Sequence, residues 1–207
     1  MKYYNILDLK PTQMAFGLLE VELKIKKLRK LMRAKNFDLK ASLKDHSVSV
    51  VIAPNKEAYI VDGHHRTSAI WMLGIKKVYV KILADYSRSD LSYHQFWKVL
   101  EMKNWTHLFD QCGHGPHSPL YLPQDIRGMG VDPYRDLAYL VRSAGGFEQT
   151  TVPFAEFEWA NFFRRSQLLD PAFELNFDRA QKKALKLAKS SAAKKLPGYL
   201  GVKSGSK

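Results

Sequence analysis

The chain is poor in cysteine, has no long apolar run and has no acidic residue near its C-terminal end. Its single cysteine, Cys112, excludes an internal disulfide framework and a multi-cysteine zinc site. No apolar run approaches the roughly 18 residues that a membrane-spanning helix needs, so we expect no membrane among its partners. The first residues lack the apolar core of a signal peptide, and the expected location is therefore cytoplasmic.

The net charge of +13 is spread unevenly along the chain. Residues 179–207 contain nine basic residues and no acidic one, which leaves about +4 for everything before them. A lysine-rich end of this kind is typical of a solvated helix face or a disordered tail. It also predicts weak, salt-dependent contact with nucleic acid or another polyanion.

Hydrophobic residues make up 45% of the chain and aromatic residues 12%, which indicates a folded globular protein with a real core. Apolar periodicity predicts the elements of the first half. They are a strand at 3–9, a helix at 16–33, a hairpin of strands at 48–53 and 58–62, a helix at 64–73 and a strand at 77–83. The helix at 64–73 is expected to end at Gly74.

The second half has a different pattern. A helix is predicted at 91–102, followed by a loop-rich segment at 106–131 and helices at 133–143, 153–165 and about 171–195. Long irregular segments in compact domains are often functional. The chain as a whole predicts an α+β fold with a small mixed sheet in its N-terminal half and a helical C-terminal half. We expect an α/β domain at 1–88, a helical extension packed on it at 89–178, and a basic helical or disordered tail at 179–207.

The strongest chemical signal lies in residues 59–70, where a β-branched strand passes through one glycine into a helix. A helix start presents unpaired backbone N–H groups and the positive end of the helix dipole, so it favours anions such as phosphate. The residues at this turn that are suited to binding a phosphate are Gly63, Arg66, Thr67 and Ser68. A strand–helix turn with solvated polar residues is the alternative interpretation.

Three side chains at this turn are candidates for catalysis. His64 and His65 are neighbours on a helix and point about 100° apart, so they are not expected to share one metal ion. One is predicted to act as general base or hydrogen-bond donor, and the other to be structural beneath the loop. Asp62 is suited to capping the helix, to orienting a histidine, or to binding Mg²⁺ beside a bound phosphate.

The loop-rich segment holds a second group of reactive side chains. His107, His114 and His117 surround Cys112 in the sequence. Their spacing matches no metal-ligand template, so we interpret them as flexible loop histidines. Cys112 has no visible activating partner, which argues against thiol catalysis.

The order of elements around Asp-Gly-His-His-Arg resembles the ParB/sulfiredoxin superfamily, and more narrowly the ParB-like nuclease family with an all-helical second half. The resemblance covers nearly the whole chain. The matching residues are 9–13, Gly17, Glu20, Val21, 59–65, Asp85, Phe96, Trp97, 132–135, 154–164 and 196–199. It implies a ParB/sulfiredoxin-like fold for the N-terminal half. It also implies that Gly63, His64, His65, Arg66 and Thr67 line a phosphate site for a nucleotide, ATP, ADP or CTP with Mg²⁺.

Departures from the superfamily pattern narrow the activity that the resemblance implies. Sulfiredoxin has its catalytic cysteine where this chain has His64, so sulfiredoxin chemistry is not supported. Partition proteins continue with a second nucleotide motif and a helix-turn-helix domain, which we do not identify downstream. Free-serine kinases place a catalytic glutamate in the loop after the first strand, where this chain has Gln13; Glu20 is the nearest substitute.

These features predict an enzyme that binds a nucleotide or phosphodiester at the Gly63 turn and catalyses phosphoryl transfer or hydrolysis, as a nuclease, an NTPase or a small-molecule kinase. The predicted catalytic residues are His65, His64, Asp62 and Glu20, with Asp85 as a further candidate for holding metal or substrate. One alternative is a non-catalytic nucleic-acid-binding protein that uses its basic first helix and tail. Another is a structural or regulatory protein that keeps a vestigial site.

Overall fold

The chain folds into two compact units, Met1–Val131 and Asp132–Lys207, which we describe separately. A computed structural model describes residues 2–169 and 177–201. The domain boundaries predicted from the sequence fall elsewhere, at residues 88 and 178. Among the described residues, the helices are too short or too polar to cross a membrane.

The first unit is built on a five-stranded mixed sheet. Its strands and helices, in chain order, are β1 (Lys2–Asn5), β2 (Leu9–Pro11), β3 (Ala15–Phe16), α1 (Leu18–Met32), α2 (Leu39–Asp45), β4 (Val48–Ile52), β5 (Ala58–Asp62), α3 (His64–Met72), β6 (Lys77–Asp85), α4 (Tyr93–Met102) and β7 (Gly130–Val131). The sheet order is β1-β6-β4-β5-β2, while β3 and β7 form a separate parallel pair.

The sheet combines both strand orientations. β4 and β5 form the predicted antiparallel hairpin, β1 is antiparallel to β6, and β4 with β6 and β2 with β5 are parallel pairs. The predicted single strand at 3–9 is wrong, because a 3₁₀ turn at Ile6–Asp8 separates β1 from β2. This turn lets the two strands join opposite edges of one sheet.

Both faces of the central hairpin are buried, so packing on two sides fixes the position of β5. Successive side chains of a strand point to opposite faces. Ile60 packs in the core that includes Val21 of α1 and Ile70 of α3. Its neighbour Tyr59 packs on the other face, in the core that includes Phe96 of α4. A strand fixed on both faces gives the turn that follows it a defined place.

The second unit is a helical assembly of α5 (Pro133–Ser143), α6 (Ala155–Arg165) and α7 (Phe177–Ala188). Its core contains Trp159, whose ring stacks on Phe147 with centroids 4.2 Å apart. Ala180, Ala184 and Ala188 of α7 are buried in the same core. The basic segment predicted as a tail is therefore structural over this helix, and its lysines occupy the exposed face. Residues 202–207 lie outside the described residues.

Candidate functional site

The turn between β5 and α3 depends on the backbone freedom of Gly63. This residue caps α3 with φ +99° and ψ 16°, in the left-handed region that favours glycine. A Cβ atom at this position would meet Cγ1 of Val48 at 3.6 Å, an ordinary contact. The requirement for glycine therefore comes from the backbone angle and not from a lack of space. The turn places the first N–H groups of α3 next to the end of the sheet.

His64 is the structural member of the histidine pair. Its side chain is 3% exposed, and its Nε2 accepts a hydrogen bond of 3.2 Å from the backbone N–H of Thr12. Burial, and then the charge of neighbouring His65, lower the pKa of His64 to about 3. A neutral imidazole that already accepts a hydrogen bond is poorly suited to removing a substrate proton. The catalytic role predicted for His64 therefore does not fit its position.

Thr12, directly after β2, connects this histidine to β5 and to the chain after α4. Its hydroxyl donates to the carbonyl oxygen of Ile60 at 2.7 Å. Its own carbonyl oxygen accepts from the hydroxyl of Thr106 at 2.9 Å. Thr12 is fully buried, so these bonds form in a protected environment where they are electrostatically stronger. The start of α3 is thereby fixed to the end of β2 and to the chain after α4.

His65 faces Glu20 of α1. The distance from Nε2 of His65 to Oε2 of Glu20 is 3.6 Å, and the two side chains are 16% and 20% exposed. The other carboxylate oxygen of Glu20 pairs with Nζ of Lys24 at 2.9 Å. The ring of Phe16 meets the imidazole of His65 edge to face, with centroids 6.0 Å apart. The structure thus brings together His65 and Glu20, two residues that were separately predicted from the sequence to be catalytic.

The next three predicted phosphate ligands point elsewhere. Nη1 of Arg66 donates to the carbonyl oxygen of His46 at 3.3 Å. Thr67 is fully buried, and its hydroxyl donates to the carbonyl oxygen of Gly63 at 2.9 Å. Ser68 is 2% exposed. The hydroxyl groups of Thr67 and Ser68 are therefore buried in the protein interior, where a ligand at the turn cannot reach them.

A cavity of about 160 Å³ lies between α1, α2 and α3 and reaches Arg66 in the first turn of α3. Its polar lining includes Lys24, Lys27, His46 and Arg66, and its apolar lining consists of Leu28, Leu31, Leu43, Ala69 and Ile70. The cavity was not foreseen from the sequence, because the short helix α2 that forms one wall was not predicted. The side chain of Asp38 caps α2 by accepting from the N–H of Ala41, a local signal that could have located this helix.

The two acidic candidates at strand ends lie far apart along the sheet. β4 pairs Ser49 with Asp62 but pairs Ile52 with Asp85, so the two carboxylates belong to opposite ends of β4. Asp62 is exposed next to the turn. Hydrogen bonds from Ser87 lower the pKa of Asp85, which closes its own local turn. Within the described residues, there is no group of three acidic, histidine or cysteine side chains placed to hold a metal ion.

The carboxylate of Asp110, which was not predicted from the sequence as a functional group, contacts two of the three loop histidines. Oδ2 of Asp110 lies 3.4 Å from Nε2 of His117 and 3.7 Å from Nδ1 of His114. Its other oxygen accepts from the backbone N–H of exposed Cys112 at 2.9 Å. Partial burial raises the pKa of Asp110, but backbone and histidine hydrogen bonds outweigh it and lower the pKa. These contacts explain the loop without thiol chemistry.

The mixed sheet with a glycine–histidine turn after β5 defines a ParB-like domain. The chain belongs to the ParB-like nuclease family, since the family model described as "Putative ParB-like nuclease" matches residues 2–165. It is also similar to protein Atu1540 from Agrobacterium tumefaciens, whose crystal structure aligns with a TM-score of 0.83 and 37% sequence identity. That alignment covers 97% of this chain and 96% of the other. No curated protein matches the chain.

These comparisons confirm the family and the α+β fold class predicted from the sequence. They identify no substrate and no reaction.

Proposed function

We propose that the first unit is an enzyme that binds a nucleotide or phosphodiester at the start of α3 and catalyses phosphoryl transfer or hydrolysis. The observation that carries this proposal is the 3.6 Å approach of His65 to Glu20 directly after the left-handed Gly63 turn. An anion-binding helix start and a proton-transfer pair lie side by side. These are the two functions that phosphoryl transfer requires from a protein.

His65 is the proton carrier in this proposal. Histidine titrates near neutrality, and a carboxylate beside the ring orients it and stabilises its protonated form. His65 accepts the proton of the attacking water or hydroxyl group, while Glu20 stabilises the imidazolium that results. The attacking oxygen bonds to phosphorus as the P–O bond to the leaving group breaks, and the leaving oxygen keeps the electron pair of that bond. Phe16 packs against the ring and limits its orientation. The phosphate itself rests on the backbone N–H groups of the first turn of α3.

The cavity between α1, α2 and α3 offers a site for part of a nucleotide, since its volume of about 160 Å³ is below the roughly 300–1,000 Å³ of pockets that enclose drug-sized ligands. Lys24, Lys27 and Arg66 supply positive charge at its walls, which favours an anionic ligand, and its apolar walls favour a nucleobase. We therefore propose ATP, ADP or CTP as the ligand. Mg²⁺ commonly uses only one or two protein carboxylates together with substrate phosphates, so exposed Asp62 is suited to hold it. Bound there, the ion would neutralise phosphate charge.

A thermal-shift panel tests the proposed ligand. ATP, ADP, CTP, GTP and short DNA are each added with and without Mg²⁺, because a ligand of the folded state stabilises it by about 2.7 kcal/mol at a hundred times its dissociation constant. At least one nucleotide should raise the melting temperature. His65→Ala should abolish its turnover while the protein stays folded, and exposed His94→Ala is the matched control. If no nucleotide shifts the transition and none is turned over, the proposal is wrong.

A second candidate function is non-catalytic binding of nucleic acid. The exposed faces of α1 and α7 favour it, because α1 carries five basic residues within 24–30 and Lys182, Lys183 and Lys186 lie opposite the buried alanines of α7. Deleting the basic segment is not a suitable test, since it would remove α7 from its core. The triple variant with serine at these lysines retains the buried face.

The two functions predict different behaviour of this triple variant. If nucleic-acid binding is the function, affinity for short DNA should fall. The slope of the logarithm of the binding constant against the logarithm of the salt concentration should also become shallower by about 0.9 for each lost phosphate contact. If catalysis at the turn is the function, turnover should be unchanged. Two results together would favour a nucleic-acid-binding protein: the triple variant loses DNA affinity, and the parent protein shows no turnover.

A further inference from the structure

A second polar groove lies at the opposite end of β5 from the Gly63 turn. Its main cavity, of about 170 Å³, lies between the β4–β5 turn, the start of α4 and residues 119–124. An adjoining cavity of about 100 Å³ has Ala53, Pro54 and Phe96 in its walls. Asn55, Tyr59 and Tyr93 line both cavities, so the two form one groove. The groove shares no lining residue with the proposed nucleotide cavity.

An ion pair occupies the polar half of this groove. Nζ of Lys10 lies 2.6 Å from Oε1 of Glu57, and the side chains are 25% and 35% exposed. Oε2 of Glu57 accepts from Nδ2 of Asn55 at 2.8 Å and from the hydroxyl of Tyr59 at 3.0 Å. Lys10 also donates to Oε1 of Gln124 at 3.3 Å. Both charges are held in place by neighbours and remain open to solvent.

Each charge keeps one unused hydrogen-bonding position among the described residues. An ammonium group has three donors, and Lys10 uses two of them, on Glu57 and Gln124. A carboxylate has about four acceptor positions, and Glu57 uses three. Although burial raises the pKa of Glu57, its hydrogen bonds outweigh this and lower the pKa, so the carboxylate stays ionised near neutrality. Burial and Glu57 raise the pKa of Tyr59, which keeps its phenol a donor.

Two opposite charges this close select against singly charged ligands. A simple anion that reaches Lys10 also meets the carboxylate of Glu57, and a simple cation that reaches Glu57 also meets Lys10. A zwitterion avoids both repulsions, because it places one charge against each partner. The groove is smaller than the roughly 300–1,000 Å³ of pockets for drug-sized ligands, which fits a metabolite of amino-acid size.

We propose that this groove binds an α-amino acid with an apolar side chain. Its carboxylate accepts from the third N–H of Lys10, and its ammonium group donates to the open position on Glu57. Its side chain lies in the aromatic cavity formed by Tyr59, Tyr93 and Phe96. Nothing in this assignment depends on the proposed nucleotide site.

Isothermal titration calorimetry of the full chain tests the proposal, with L-leucine and L-phenylalanine as probes. Two analogues of leucine each lack one charge: 4-methylpentanoate has only the carboxylate, and 3-methylbutylamine has only the ammonium group. A hydrogen bond to a charged group contributes about 1.5–3 kcal/mol, so each analogue should bind about tenfold more weakly or worse. Equal binding by an analogue and its parent, or no binding of either amino acid, would overturn the assignment.

Variants locate the binding to this groove. Glu57→Gln and Lys10→Met should each weaken leucine binding about tenfold, while Glu101→Gln on the exposed face of α4 should leave it unchanged. Tyr93→Ala opens the aromatic cavity without touching the ion pair and should also weaken binding. Leucine binding that survives all three groove variants contradicts the proposal. Nucleotide-induced stabilisation, measured on the same samples, should persist in every variant, so failure of one site is distinguishable from failure of the other.

Discussion

Nε2 of His65 lies 3.6 Å from Oε2 of Glu20, a contact that joins the first turn of α3 to the first turn of α1. The contact depends on the packing of these helices on one face of the sheet, where Val21 and Ile70 share a core. Glu20 thereby occupies a position from which it can assist proton transfer, although it lies outside the loop that follows the first strand.

Glu20→Gln should lower turnover about as strongly as His65→Ala does. Each substitution disables the same proton-transfer unit, and general acid–base catalysis contributes about 10²–10⁴-fold to rate. The double variant should therefore be little slower than either single variant, which steady-state kinetics would reveal. Glu22→Gln, on the exposed side of α1, is the control. Additive losses would show that the two residues act independently.

Gly63→Ala should destabilise the protein by roughly 1–2 kcal/mol, because the added Cβ strains a left-handed backbone but meets no close neighbour. Gly74→Ala is the matched control, since Gly74 has φ +83° at the other end of α3 and open space around it. Urea denaturation should give similar losses for both. Nucleotide affinity should fall in Gly63→Ala alone; an equal fall in both variants would argue against binding at the turn.

His64 should make stability depend on pH. Its pKa is about 3 in the folded protein and about 6.5 when unfolded. Above pH 6.5 both states are neutral, and stability is complete. As the pH falls from 6.5 towards 3, only the unfolded state binds the proton, so stability should decline by at most about 1.4 kcal/mol per pH unit. Urea denaturation between pH 7.5 and 4.5 measures this slope.

His64→Gln should flatten that slope, because a neutral amide does not titrate and its oxygen can still accept from the N–H of Thr12. His46→Gln, at an exposed histidine, should leave the slope as it is. If His64→Gln retains the slope of the parent protein, the burial of a neutral His64 is not its cause.

In the second unit, Arg164→Ala should destabilise the fold by about 3–5 kcal/mol. Nη2 of Arg164 lies 2.6 Å from Oδ2 of Asp132, a residue only 2% exposed. Burial already raises the pKa of Asp132, and loss of the arginine would leave its carboxylate without this ion pair. Arg165→Ala, at the exposed neighbouring position, should cost less than about 0.5 kcal/mol by urea denaturation. Comparable losses in the two variants would contradict the importance of the pair.

The sequence predicted best where periodicity was strong and local. The helices at α1, α3 and α5 and the hairpin of β4 and β5 follow from apolar spacing, because burial of one face sets both the period and the element. α2 was missed because it is short and has only a small buried face. The break between β1 and β2 was missed because it arises from the pairing of β2 with β5, which no local pattern records.

The same limit applies to the site. The turn, its glycine and its two histidines could be read from the sequence, but their division of roles could not. His64 became structural because the N–H of Thr12 reaches its ring, and His65 became the candidate base because α1 brings Glu20 to it. Both contacts are long-range in the chain. The cavity of Lys24, Lys27 and Arg66 likewise exists only once α2 is in place.

The most direct test of the account is the effect of a nucleotide with Mg²⁺ on the backbone amide resonances of the ¹⁵N-labelled protein. A phosphate bound at the start of α3 should shift the signals of His65 and Arg66 first and most strongly, with smaller changes at Lys24 and Lys27. Saturable shifts centred on these amides would support phosphate binding at the turn. Spectra that none of the tested nucleotides alters, or shifts confined to other parts of the protein, would contradict it.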